Sequence, residues 1–103
     1  MTRAIDLSAD QLAIVRDILR AHLPAGARVW VFGSRVTGTA RRYSDLDLAV
    51  EADGPVGLGV LGDLAEALSE SDLPYKVDVI DLRSVDAGFR ALIEPDFVVL
   101  AFR

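Results

Sequence analysis

Gly33-Ser34-Arg35-Val36-Thr37-Gly38-Thr39-Ala40-Arg41-Arg42-Tyr43-Ser44-Asp45-Leu46-Asp47 is the stretch on which the reading of this chain turns. It follows the apolar run Val29-Trp30-Val31-Phe32 and leads into a second, Leu46 to Val50, carrying two carboxylates one residue apart. Physically this describes a strand, a tight turn sized for a phosphate, a short helical or looped excursion, and a strand that opens on a pair of acids.

Within a strand, residues i and i+2 project from one face, about 6.5–7 Å apart. Asp45 and Asp47 are therefore expected on one face, with Leu46 and Leu48 turned into the core. Two such carboxylates repel and raise one another's pKa unless a cation lies between them. A hard oxygen site of this kind suits Mg²⁺ or Mn²⁺, and Mg²⁺ keeps water and substrate phosphates among its ligands. Alone, an Asp-x-Asp more often marks a solvated strand face or turn. The preceding turn changes that balance, because Gly33 permits close approach of the backbone. Ser34 is expected to cap a short helix over Arg35 to Gly38, whose first amides, with the Ser34 hydroxyl, can then accept an anion. Arg35 on the same turn is a candidate to neutralise a leaving pyrophosphate, against the simpler role of a solvated helix residue.

A third acid lies in Lys76-Val77-Asp78-Val79-Ile80-Asp81. Alternation puts Asp78 and Asp81 on opposite faces, so at most one joins the pair. Asp78 sits mid-strand between two valines, where an unpaired charge is costly, and is the favoured candidate. Asp81, near the strand end where solvation is easy, stays open as the alternative.

The remaining elements follow from periodicity. Ser8 and Gln11 fit a capping box, and Leu12, Val15, Leu19 and Leu23 recur at helical spacing, predicting a helix from about Ala9 to His22 that Pro24 and Gly26 stop. His22 in its last turn suits the helix dipole and needs no catalytic role. Arg28 to Phe32 and Leu46 to Glu51 read as strands, and Asp53-Gly54-Pro55 as a turn. Leu58, Leu61, Leu64, Ala65 and Leu68 mark a second helix, and Tyr75 to Leu82 a third strand. Ser84 is the expected N-cap of a last helix through Ile93, with Phe89, Leu92 and Ile93 as its apolar contacts. Phe97 to Phe102 completes the order as a terminal strand. The fold class is α/β (α+β), a small mixed β-sheet flanked by helices. Residues 1–103 are expected to form a single domain. Ser44 is expected to orient the start of the acidic strand, Arg41 and Arg42 to balance local acid or meet a partner, and Trp30 to be core or partner surface.

Composition narrows the function. The 103 residues are 51% hydrophobic, enough for a core, with 11 basic and 16 acidic side chains and a formal charge of −5. That balance argues against bulk nucleic-acid binding through a basic surface. No cysteine is present, so a metal would rest on oxygen or on His22. No apolar run is long enough for a membrane span, and Met1-Thr2-Arg3 leads into an amphipathic pattern, so a cytoplasmic protein is expected.

Gly33-Ser34, ten intervening residues, Asp45-Leu46-Asp47, and Asp78 in a Val-Asp-Val-Ile setting together resemble the polymerase-beta-like nucleotidyltransferase superfamily. The short chain resembles its minimal nucleotidyltransferase (MNT) branch. The resemblance implies that Asp45 and Asp47 hold the metal on the nucleotide phosphates, and that these two with Asp78 hold a second. Asp78 would also accept the proton of the attacking hydroxyl. Gly33 and Ser34 would bind the β- and γ-phosphates. It further implies transfer of NMP, foremost AMP from ATP, with Mg²⁺, onto a hydroxyl of a small helical HEPN-type toxin, making the chain its antitoxin. The rivals are an antitoxin that neutralises by binding alone, transfer to a small molecule, and a glycosyltransferase-type Asp-x-Asp. The last leaves Gly33-Ser34 unexplained.

Overall fold

The structure, a computed structural model, describes residues 4–54 and 56–103. The start Met1-Thr2-Arg3 and Pro55 of the expected turn lie outside the described residues.

Helix α1 spans Ala9–His22 as its periodicity requires, and its N-terminus carries the complete capping box. Gln11 N donates to Ser8 Oγ at 3.1 Å and Ser8 N donates to Gln11 Oε1 at 3.3 Å. Then come β1 (Arg28–Phe32), the short α2 (Ser34–Thr37), β2 (Leu46–Glu51), α3 (Leu58–Ser69), β3 (Val77–Asp81), α4 (Ala87–Ile93), a 3-10 turn over Glu94–Asp96, and β4 (Val98–Val99).

The four strands form one mixed sheet in the order β3-β2-β1-β4. β1 runs antiparallel to β2 and β4, while β2 and β3 are parallel. A parallel pair needs a crossover, and α3 supplies it. Alternation divides the sheet cleanly. Val29, Val31, Leu46, Leu48 and Val50 enter the main core with Val15 and Leu19 of α1 and Leu64 and Leu68 of α3. Fully burying each such Leu contributes about 1.5–3 kcal/mol. The opposite face carries Trp30, Phe32, Ala49, Ile80 and Leu82, covered by Ile93 and Phe97. Trp30, partly buried, stacks on Phe97 with centroids 5.5 Å apart and packs against this second cluster.

Several boundaries differ from the sequence reading. The N-cap of α2 is Gly33, without a side-chain cap bond, so Ser34 is the first helical residue. The cap of α4 is Asp86, whose carboxylate accepts from Phe89 N at 3.1 Å, because the Ser84 hydroxyl is engaged with Asp81. Phe89 and Leu92 do not enter the core: they are 43% and 76% exposed, and Ile93 alone of the three packs inward. β3 is shorter than expected at both ends, and the terminal strand is only Val98–Val99, paired in register with Val31 and Trp30 of β1.

Candidate active site

β1 ends at Phe32, and Gly33 turns the chain with φ 79 and ψ −156, a region essentially open to glycine alone. Space imposes the same choice. Phe32 is the register partner of Asp47, and a Cβ on Gly33 would lie 2.4 Å from Asp47 Oδ2. The turn thus brings bare backbone against a carboxylate. The amides of Val36 and Thr37 both donate to the Gly33 carbonyl, at 3.1 and 3.2 Å, which leaves those of Ser34 and Arg35 outside the helix ladder. Gly38 closes α2 in the left-handed conformation, φ 83.

The acids come from two strands. Asp47 of β2 is the register partner of Asp78 of β3, and neighbouring strands are about 4.8 Å apart. Both belong to the face of Phe32 and Ala49, opposite the buried Leu46 and Leu48. Asp45, two residues before Asp47 and exposed, precedes the same strand. Burial, then the negative charges of Asp78 and Asp45, push the Asp47 carboxyl above its ordinary value of 3.8, against a smaller opposing pull from Lys76. The Lys76 ammonium lies 3.2 Å from Asp78 Oδ1. Among the described residues no three acidic, His or Cys side chains converge tightly enough to chelate an ion as they stand.

Asp81 lies elsewhere. It is buried on the opposite side of β3 and closes the following turn, accepting from Arg83 N at 3.0 Å and from the Ser84 hydroxyl at 3.2 Å. The structure therefore brings Gly33, Asp45, Asp47 and Asp78 together and leaves Asp81 out.

Arg35 is also placed differently from the expectation. It is 5% exposed, and its guanidinium points into the protein. Nε and one terminal nitrogen donate to the Ser44 carbonyl at 3.1 and 2.8 Å. The other terminal nitrogen donates to the Asp6 carbonyl at 2.9 Å. The carbonyls of Arg42 and Arg41 complete the set at 3.2 and 3.4 Å, and the guanidinium lies 4.0 Å over the Tyr75 ring. These contacts tie it to main chain, away from the front of the turn. Ser44 has the local role its position suggested: its hydroxyl accepts from Arg41 N at 2.8 Å. Arg42 lies over the Tyr43 ring at 5.3 Å.

Sequence reasoning missed two neighbours. Lys76 was within reach of it, since strand alternation puts residues 76 and 78 on one face. The convergence of four carbonyls on Arg35 left no signal in the sequence, because carbonyls are present at every residue.

A strand-turn-helix followed by an acidic strand, with a third acid on the parallel neighbour, defines a nucleotidyltransferase core. The chain belongs to the nucleotidyltransferase domain family, whose model it matches over residues 12–102. Among individual proteins it is similar to the probable protein adenylyltransferase MntA of Haemophilus influenzae. The two are 44% identical over 96 residues, 93% of this chain and 83% of that one. Its fold is similar to a crystal structure of a toxin–antitoxin with AMP-PNP, with a TM-score of 0.75 at 29% identity, covering 89% of this chain and 73% of the other. It is likewise similar to the structure of a tri-AMPylated Shewanella oneidensis HEPN toxin in complex with MNT antitoxin. There the TM-score is 0.67 at 28% identity, covering 90% and 72% of the two chains. Among the described residues no helix is long and apolar enough to cross a membrane.

Proposed function

We propose that this chain is a protein adenylyltransferase that moves AMP from ATP onto a hydroxyl of a HEPN-type toxin and so serves as its antitoxin. The observation that carries the reading is the alignment of Asp47 with Asp78 across β2 and β3, directly beside the bare Gly33 turn. The similarity to MntA and to the AMPylated toxin complex supports the choice of acceptor.

The donor set fits a divalent cation. It is all oxygen, and it contains an acid raised by burial and by two neighbouring acids, a repulsion that a hard cation relieves. Asp45 and Asp47 would hold Mg²⁺ arriving with the triphosphate, and Asp45, Asp47 and Asp78 a second ion. When bound, such ions supply charge neutralisation at the entering and leaving oxygens. The chain's own groups do the rest. The Ser34 amide and hydroxyl, reached across the bare Gly33, receive the β- and γ-phosphates. Asp78 takes the proton of the acceptor hydroxyl as its oxygen bonds to the α-phosphorus. The bond from that phosphorus to the bridging oxygen breaks, and pyrophosphate leaves with the electron pair. Residues 1–103 would perform this as one domain, with the acceptor held by the partner itself.

The test is pyrophosphate release from ATP with Mg²⁺, with and without a purified HEPN-type partner. Release that depends on the partner and stops in Asp78→Asn is the expected result. Partner binding without release would leave an antitoxin that acts by contact alone.

A further inference from the structure

We infer that Arg35 is a positioning residue, whose buried guanidinium fixes the loop delivering Asp45 against both the Gly33–Ser34 turn and the start of β3. The inference rests on the reading of these residues as a nucleotidyl-transfer site.

The contacts fall on the segments that lead into β2 and β3, the strands of the acids. Arg35 itself is the second residue of the turn that Gly33 begins. Its fork holds the carbonyls of Arg41, Arg42 and Ser44, the last of these one residue before Asp45. Its face covers Tyr75 at 4.0 Å, three residues before Asp78. Tyr75 is anchored in turn, its hydroxyl 3.1 Å from Gln11 Oε1 in the capping box of α1. The backbone closes the same joint, with Asp6 N donating to the Arg35 carbonyl at 2.7 Å and Leu46 N to the Lys76 carbonyl at 2.9 Å.

A buried charge is costly unless its donors are satisfied. Here four carbonyl dipoles and an aromatic face satisfy it, with a planar fork that lysine cannot reproduce. What the fork spans is the 38–44 excursion, a segment outside helix and strand. Without the fork, the loop leading to the first acid of the pair keeps its turn bonds between Ser44 and Arg41 and, at its far end, the bond from Thr39 N to the Ser34 carbonyl at 3.3 Å.

The test is amide hydrogen exchange in Arg35→Lys and Tyr75→Leu, with turnover measured beside it. Arg35→Lys should accelerate exchange at residues 40–46 by about tenfold or more, leaving Val31 and Leu48 at wild-type rates. Turnover should fall roughly 10- to 100-fold with KM for ATP near wild type, as expected for a misplaced group. Val15→Ala, a core lesion in α1, should lower the melting temperature without that fall. Exchange at wild-type rates in both clamp variants would overturn the proposal, as would an even rise across the chain in both. A raised KM with unchanged turnover would overturn it too, returning Arg35 to the phosphates. Exchange needs no catalysis, so failure of the proposed function shows separately, as no transfer by the wild-type chain.

Discussion

Asp47 and Asp78 occupy directly opposed positions on two parallel strands, close enough for the Asp78 charge to push the Asp47 carboxyl up. Parallel neighbours are normally buried apolar residues. Here the sheet holds a like-charged pair instead, with Asp45 adding to the repulsion and Lys76 opposing it. A fold carries such a pair at a cost in stability, and that cost has a measurable sign.

Asp47→Asn should stabilise the metal-free protein at neutral pH. A carboxyl whose folded pKa is raised favours the native state most when protonated. Its contribution is full below the ordinary value of 3.8 and is lost as pH rises through the raised folded value. The melting temperature of the variant in EDTA should exceed that of the wild type at pH 7, and the gap should shrink toward pH 3. A variant less stable than wild type at pH 7 would show that the carboxylate is favourably paired.

Gly33→Ala meets two obstacles, a glycine-only backbone conformation and Asp47 Oδ2 at 2.4 Å. It should cost about 1–3 kcal/mol from the backbone alone, and transfer activity should be lost as Asp47 is displaced. Gly38→Ala faces an open space, with nothing within 4 Å, and should cost only about 1–2 kcal/mol with activity kept. Denaturant unfolding and turnover of the two variants, side by side, check this contrast.

Asp78 and Asp81 lie three residues apart and should fail differently. Asp78→Asn is expected to melt near the wild type, because relief of the repulsion with Asp47 offsets loss of the Lys76 ion pair, and to transfer nothing. Asp81→Ala removes the acceptor of the Arg83 amide and the Ser84 hydroxyl and should lose about 1–3 kcal/mol of stability. It should keep activity below its melting temperature. The reverse pattern would exchange the two assignments.

The extent to which the sequence disclosed all this follows from the range of each interaction. α1, β1 and β2 were legible to the residue, because the capping box and the periodicities that define them are local. The choice between Asp78 and Asp81 was half legible: alternation separates their faces, but only the β2–β3 register shows which face meets Asp47. The start of α4 was misread because Ser84 and Asp86 are both good caps, and the engagement of Ser84 with Asp81 decided between them. Arg35 was the least legible. Its partners are backbone carbonyls from residues 6 to 44, and only folding gathers them.

The measurement that tests the central claim most directly is the intact mass of a HEPN-type partner co-expressed with this chain. It compares the wild type with Asp45→Asn/Asp47→Asn under ATP and Mg²⁺. The account predicts a gain of one or more AMP units on the partner with the wild type and an unmodified partner with the variant. An unmodified partner in both, with the toxin still neutralised, would contradict it and leave the site without a role in transfer.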